Sequence, residues 1–402
     1  MDSKSDSEDN EYCLKLDTIP PEIFLHICSF ISAKFVINVL SKVCQHFNDL
    51  IQNDTTWRMR IFKKWPKQYP MIPDPNLNWK EACIEREEHY EMWKNCGENM
   101  KMFNLKEAHF GSVNVVNIIE DGQICASGGR DGALKVWNIS NLKEILDPQD
   151  YKSCLVHSKT AAHSNAWLWS ISYDKECKRL YTGGFDCNIR SWDLDNPSQP
   201  VATYSLASPV LCLALSQGIL TSGCYGRSVS IFDSRVSLQP VFQHIHHKKP
   251  VVCIATDEKF IISGSEDRSV VVFDKIARKV LRTLQLDGFA LSMSKDTKPL
   301  LVGDILGFFH VIDPTEQSFD LALTYKTGHT QKVTGIQHSL GSIITCSTDK
   351  SIRVLQPNAD PEPITVLKCT SEISKISIYK SMLASANTDD SISIWIPEEE
   401  CS

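Results

Sequence analysis

The sequence predicts a mainly β protein made of seven copies of one strand-rich unit, preceded by a small all-α region and a helical connection. Three observations carry this. A phrase of small residues, a turn and an alternating strand recurs at near-constant spacing over the last three quarters of the chain. The first hundred residues place apolar side chains at helical spacing instead. The composition, 42% hydrophobic and 23% charged over 402 residues, is that of an ordinary globular chain long enough to bury a large core.

The phrase first appears as ASGGRDGALKVWN, from Ala126 to Asn138. It returns as TGGFDCNIRSWD, TSGCYGRSVSIFD, ISGSEDRSVVVFD, VGDILGFFHVID, TCSTDKSIRVLQ and SANTDDSISIWI. The large residue near each end falls at Trp137, Trp192, Phe232, Phe273, Ile312, Leu355 and Trp395, with gaps of 55, 40, 41, 39, 43 and 40 residues. Alternation such as Asn188-Ile189-Arg190-Ser191-Trp192 reads as strand. A period of about 40–45 residues with a Trp-Asp end is the mark of one repeat architecture. Residues 101–397 therefore resemble the WD-repeat family, and the resemblance implies a seven-bladed β-propeller with four strands per blade. The long first gap, around NLKEILDPQDYKSCLVHSKT, is expected to be a surface loop between blades one and two. The last copy ends at its third strand, so Lys101–Leu105 is expected to supply the missing outer strand of blade seven and remove an open edge.

Ser, His, Asp and glycine in one phrase raise a hydrolase or a phosphate loop as alternatives. Recurrence argues against both, because an enzyme needs its triad once. The family resemblance implies a hydrogen-bonded chain inside each blade. The matching sets are His109, Ser127, Asp131 and Trp137; His163, Thr182, Asp186 and Trp192; His247, Ser263 and Asp267; and His329, Thr345 and Asp349. Four residues after these histidines come Val113, Trp167, Val251 and Val333. Blades three, five and seven have no matching His, and Gly226 and Leu306 replace Asp in blades three and five; these blades are expected to hold by packing alone. The glycines are expected to serve tight turns. The HIHHKK run at 244–249 suggests a metal, but His247 already has a place in a blade.

The net charge of −7 argues against a general nucleic-acid binder. No apolar run approaches the roughly 20 residues that span a bilayer, and the acidic start MDSKSDSEDNEY lacks the features of a secretory signal. The 15 cysteines include no CxxC pair, so buried free thiols are expected and zinc is not. These features predict a cytoplasmic or nuclear protein with no metal, no cofactor and no catalytic residue.

Residues 1–15 read as a disordered acidic tail. Over 16–60, Ile23, Ile27, Phe30 and Ile31 form one stripe, Val36, Val39 and Leu40 a second, and Val43, Phe47 and Leu50 a third. Three short helices are expected, the first capped by Thr18, with a further helix carrying Trp57 and Met59 after Asn53-Asp54. Ile19-Pro20, Glu22-Ile23, Ile27, Phe30-Ile31, Val43-Cys44, Phe47 and Trp57 match in order and spacing the F-box family, which this segment resembles. The resemblance implies that these residues dock on a Skp-type adaptor, and through it on a cullin and a RING subunit.

Residues 61–100 read as a helical linker. The run RMRIFKKWPK carries Arg58, Arg60, Lys63, Lys64 and Lys67, and is expected to be a solvated helix face. Asn78 and Glu81 form a capping box for a helix from Trp79 to about Lys94. Trp79, Cys83, Arg86, Tyr90 and Trp93 share a face expected to pack on the propeller, and Gly97 is expected to end the helix.

The whole order resembles the F-box/WD-repeat proteins, and implies a non-catalytic target receptor of a Skp–cullin–F-box ubiquitin ligase. An adaptor-bound scaffold that drives no degradation, and an enzyme on a propeller, are the alternatives. Family geometry aims Arg130, Phe185, Tyr225, Glu266, Ile305, Thr348 and Thr388 at one mouth of the ring. A second ring is expected at Asn114, Leu168, Leu211, Val252, Leu291, Thr334 and Ser374. A single Arg in both rings argues against a phosphate reader. Phe185 and Tyr225 are the expected anchors for an unphosphorylated apolar target motif, with Arg130 at the rim.

Overall fold

In the computed structural model, which describes residues 19–145, 150–160, 162–163 and 166–398, the repeated phrases form seven antiparallel four-stranded sheets arranged as a seven-bladed propeller. The innermost strands are Val113–Ile119, Leu168–Asp174, Val210–Ser216, Val251–Thr256, Ala290–Ser294, Val333–His338 and Ile373–Tyr379. Middle strands such as Phe260–Ser265 and Ser269–Asp274 are buried throughout, because neighbouring blades cover both faces. The outer strand Pro200–Ser205 alternates, since one of its faces meets water. The expected acidic tail, the first residues of the F-box match and the Thr18 cap lie outside the described residues.

Most of the repeated glycines have a different task from the one expected. Gly132 does sit in a turn, with φ of 69°. Gly128, Gly183, Gly223, Gly264 and Gly303, however, lie within strands, where each faces the first residues of the next blade's innermost strand. A Cβ on Gly183 would lie 2.5 Å from Val210 Cγ1, so these glycines let adjacent blades approach.

The ring is closed by its own ends. Met100–Leu105 pairs with Ile392–Pro397 from Met100↔Pro397 to Leu105↔Ile392. The long first gap is not an inter-blade loop. Its last residues, Leu155–Lys159, are the outer strand of blade one, paired with Leu134–Trp137. The excess lies inside the blade, and Leu142, Tyr151 and Cys154 are buried in its core.

The four His-bearing blades carry the polar chain. His109 Nδ1 lies 3.0 Å from Asp131 Oδ2 and Nε2 lies 2.8 Å from Ser127 Oγ, which accepts from Trp137 Nε1 at 2.9 Å. With Nδ1 donating to Asp131 and Nε2 accepting from Ser127, every member has a partner. His163 repeats this with Asp186 and Thr182, both at 2.8 Å, and Trp192 Nε1 donates to Thr182 Oγ1. His329 lies 3.0 Å from both Asp349 and Thr345. In blade four Asp267 stands off at 3.4 Å and Ser269 Oγ takes the nearer place, while Ser263 keeps its contact at 2.8 Å.

Packing alone does not hold the other blades. In blade five the pair has moved: His310 Nε2 lies 3.1 Å from Asp304 Oδ2, and Asp304 accepts from Leu306 and Phe308 N–H. In blade seven Asn387 donates to Ser391 and Ser393 and accepts from Ser385. Blade three keeps only Ser208 Oγ accepting from Gly226 N–H at its turn. Each blade must tie its turn to its sheet, but several donor–acceptor sets do so.

Among the described residues, the helical region holds four α-helices around a 3₁₀ turn, the last being the expected helix that carries Trp57 and Met59: α1 (Pro21–Cys28), α2 (Ala33–Asn38), α3 (Gln45–Gln52) and α4 (Asp54–Lys64). Pro20 stands at the start of α1 with no side-chain cap, and Asn53 caps α4. Helix α5 (Trp79–Lys94) starts with Asn78 Oδ1 accepting from Glu81 N–H. It stops at Asn95, and Gly97 falls inside a further short helix, α6 (Cys96–Asn99). The expected single face of α5 divides. Cys83 joins the helical core and Trp79 packs against it, whereas Trp93 enters a cluster of blades six and seven with Met100, Ile344 and Trp395.

Two outcomes follow for the polar chain. Asp186→Ala strands His163 and Arg190, and lowers unfolding free energy by about 1–3 kcal/mol, read from a lower urea midpoint. Burial alone would raise the Asp131 carboxyl, but the hydrogen bonds from His109, Phe110 N–H and Ala133 N–H hold it down at about 2. With the folded value depressed below an unfolded value of about 3.9, this stabilisation is complete above that pH. It disappears as pH falls from about 4 toward 2, and in Asp131→Asn that part of the acid dependence is absent.

Candidate functional site

Antiparallel blades put successive turns at alternate ends, so the propeller has two faces. The helical region covers part of one. Tyr69 OH donates to Leu340 O at 3.1 Å, His89 Nδ1 lies 2.8 Å from Ser342 Oγ, and Lys67 pairs with Asp360 and Glu362 at 2.6 and 2.7 Å. Arg86 is buried between the rings of Trp65 and Tyr69, at 4.4 and 4.3 Å, and donates to Asn358 Oδ1 at 2.7 Å. Burial lowers its guanidinium to about 10. The two ring faces supply part of what a carboxylate partner would.

The basic run is a solvated face only in part: Arg58, Lys63 and Lys64 are exposed, while Arg60 and Lys67 are drawn into ion pairs. Arg60 donates through Nε and Nη2 to Glu87 at 2.8 and 2.9 Å, and to the carbonyls of Cys28 and Ile31. Glu87 also accepts from Ala33 N–H at 2.8 Å. One ion pair thus ties the end of α1 and the start of α2 to α5. Of the run, Arg58 stacks near Phe62 and Trp79, and Lys63 stays exposed.

The F-box-like residues divide by exposure. Phe30 is 79% exposed and Val43 62%; Ile23, Ile27, Pro20 and Glu22 are exposed too, and Ile19, Ile31 and Cys44 are half-buried. Phe35 and Val39, which the sequence reading did not select, extend this open apolar face. Phe47 and Trp57 do not belong to it. Phe47 stacks on Phe24 at 4.3 Å, and Trp57, 1% exposed, donates its Nε1 to Ile51 O. A four-helix region this small needs both aromatics for its own core.

The propeller's other face carries the expected first ring. The N–H groups of Arg130, Phe185, Tyr225, Glu266, Ile305 and Thr388 donate to Ser112, Trp167, Pro209, Pro250, Phe289 and Glu372, the residues just before the innermost strands. Thr348 is buried, with Oγ1 donating to Gln331. Leu168 does not belong to the second ring. It is fully buried (0% exposed), pairs with Gly184, and is followed by a bulge that puts Trp169 level with Asn114, Leu211 and Val252. The loop after His163 is one residue longer than that after His109, so counting from the histidine shifts the register. Counting back sixteen residues from the paired glycine, as from Gly129 to Val113, finds Leu168. Leu211 is largely buried as well.

This shift exposes what the sequence reading missed. Trp167 and Trp169 lie 6.2 Å apart and near parallel at 21°, with Phe185 at 5.1 and 5.3 Å, tilted against both. Trp167 is 39% exposed, and the Arg130 guanidinium lies 4.8 Å over its ring. Phe110 and Tyr225 stand open nearby in blades one and three. Among the described residues no group of His, Cys, Asp or Glu could hold a metal ion, and no helix is long and apolar enough to cross a membrane.

Comparisons with known proteins fit both regions. The F-box-like family model matches residues 16–63, and the model for the WD domain, G-beta repeat, matches 100–138, 154–193, 238–274 and 321–355. Those four matches end in blades one, two, four and six, the blades with the His chain. WRMRIFKKWP, ISGSEDRSVVVFD, STDKSIRV and GHTQKVTGIQ point to one family member in particular. F-box/WD repeat-containing protein 9 of Homo sapiens is 33% identical over 378 residues, covering 94% of this chain and 82% of the relative. F-box/WD repeat-containing protein mec-15 of Caenorhabditis elegans is 24% identical over 243 residues, 58% of this chain and 59% of that one. The WD40 beta propeller domain of Doa1 superposes with a TM-score of 0.62 at 19% identity, over 74% of this chain and 96% of that one, which shows the fold.

Arg60→Ala leaves the Glu87 carboxylate buried with no guanidinium partner. It destabilises the helical region by about 3–5 kcal/mol, whereas Lys63→Ala stays within about 0.5 kcal/mol. Protease susceptibility of residues 19–99 against urea concentration measures both.

Proposed function

The chain belongs to the F-box/WD-repeat proteins, together with F-box/WD repeat-containing protein 9, and from that premise we propose that it is the target-recognition subunit of a Skp–cullin–F-box ubiquitin ligase. The observation that carries this is a pair of unlike open faces on opposite sides of one body. The face of Ile23, Ile27, Phe30 and Val43 presents apolar side chains that a small helical region cannot cover itself, and suits the groove of a Skp-type adaptor. Through the adaptor it reaches a cullin and a RING subunit. The far face of the propeller, with Phe185, Tyr225 and Arg130, takes the target.

The mechanism is proximity. Holding a target near a ubiquitin-charged enzyme raises its effective concentration, and no residue of this chain makes or breaks a covalent bond. The His–Asp chains serve the blades and recur in four of them, so they set no blade apart for catalysis. Such work suits the cytoplasm or nucleus, where the free thiols stay reduced.

The test is copurification of a Skp-type adaptor with the full chain. Ile23→Ala with Phe30→Ala removes two exposed anchors, each worth about 2 kcal/mol if they lie at the centre of the interface. The double variant loses the adaptor while the propeller's melting transition is unchanged. Retention of the adaptor at the original level overturns the docking reading.

A further inference from the structure

The same propeller face says more about the target than that it is apolar. Three aromatic rings from adjacent segments, Trp167, Trp169 and Phe185, make a packed, partly open cluster at blade two. Arg130 approaches it from blade one. Stacking on Trp167 orients its guanidinium, yet among the described residues the side chain makes no hydrogen bond and no ion pair. An exposed, oriented fork of N–H donors beside an apolar surface is suited to a planar carboxylate.

The surrounding charge agrees. Asp131 and Asp186, the carboxylates nearest in sequence, are already engaged by His109 and by His163 with Arg190. Blade three has Gly226 where a carboxylate would stand, followed by the exposed Arg227. The aromatic arc from Phe110 to Tyr225 therefore runs between Arg130 at one end and Arg227 at the other. Lys248 and Lys249, also exposed, meet the blade-four turn that carries Glu266 and Asp267. A cationic ligand would meet Arg130 already placed over the indole, and a phosphate would find one guanidinium where several are needed.

We propose that this sector binds an extended, unphosphorylated segment of a partner protein that carries a bulky apolar side chain within two residues of an Asp or Glu. The apolar side chain packs on the open surface of the cluster of Trp167, Trp169 and Phe185, and the carboxylate pairs with Arg130. This rests on the receptor reading, and it adds Trp169 and a charge requirement to the Phe185–Tyr225 anchors.

The probe is a displayed library of random twelve-residue peptides, selected on the immobilised full chain. The strongest peptide is then synthesised and its affinity measured by fluorescence polarisation. Selected peptides share an apolar residue next to an acidic one. Trp169→Ala weakens the synthetic peptide about tenfold or more. Arg130→Ala and Arg130→Lys each cost about tenfold, and this loss vanishes when the peptide's acid is changed to its amide. Melting temperatures of all variants are measured alongside.

Absence of any selected motif, a basic motif, a tenfold gain from phosphorylating the peptide, or equal loss at Arg130 for acid and amide peptides each overturns the proposal. The adaptor assay is separate. Failure of the unaltered chain to copurify the adaptor, or retention of the adaptor by the double variant, would sink the ligase reading while leaving the peptide result standing, and the reverse pattern would sink only the ligand class.

Discussion

The strand pairing of Met100–Leu105 with Ile392–Pro397 is the contact on which the rest of the architecture depends. Among the seven sheets it is the one made from segments nearly three hundred residues apart, and it covers the outer edge of Ile392–Pro397 and joins the two ends of the ring. It also fixes where the helical region sits. Helices α5 and α6 lead directly into this strand, so Trp93 is drawn into the core between blades six and seven beside Met100 and Trp395. A closing strand supplied by the C-terminus would leave the first hundred residues attached by a tether. Supplied from the N-terminal side, it makes the helical region part of the propeller's wall.

That attachment is reinforced by charges taken out of water. Arg60 and Glu87 are costly to bury singly, but together they satisfy two helix-end carbonyls and one helix-start N–H. Arg86 has no acid at all and lies between two aromatic faces, with Asn358 of blade six completing one of its bonds. These contacts have geometric consequences for function. The exposed apolar surface of α1 and α2 is held to α5, α5 is held to blades six and seven, and the ring of Arg130, Phe185 and Tyr225 lies at the far ends of the blade strands. If the two surfaces bind an adaptor and a target as proposed, such a chain of contacts sets the place of one relative to the other.

The repeats show what a blade requires and where it is free. Every blade ties its turn to its sheet, and the donors differ: His109 with Asp131, His310 with Asp304 from a different strand, Asn387 with three serines. Blade two keeps the full chain but inserts one residue between His163 and its innermost strand. The strand itself keeps the register of the other blades, so Trp167 stands just before it and Trp169 at its bulge, beside Phe185, while Leu168 takes the buried place. The side chains that fill these shared positions make the surface of this propeller particular.

By itself the sequence determined the number of blades, the closing strand, the four His chains and the helical character of the first hundred residues. Those features rest on periodicity and on local chemistry, which a single chain displays directly. It also marked Phe30 and Val43 correctly as apolar residues in the helical region, but grouped them with Phe47 and Trp57. An apolar residue at helical spacing is equally suited to a core and to a partner, and only packing separated the exposed pair from the buried one. The basic run from Arg58 to Lys67 looked like a solvated face because its acidic partners, Glu87, Asp360 and Glu362, lie 27 to about 300 residues away along the chain. The aromatic cluster needed the tertiary structure for the same reason: Trp167 and Phe185 come from different turns, Arg130 comes from another blade, and strand pairing, not distance from His163, showed that Trp169 takes the open place.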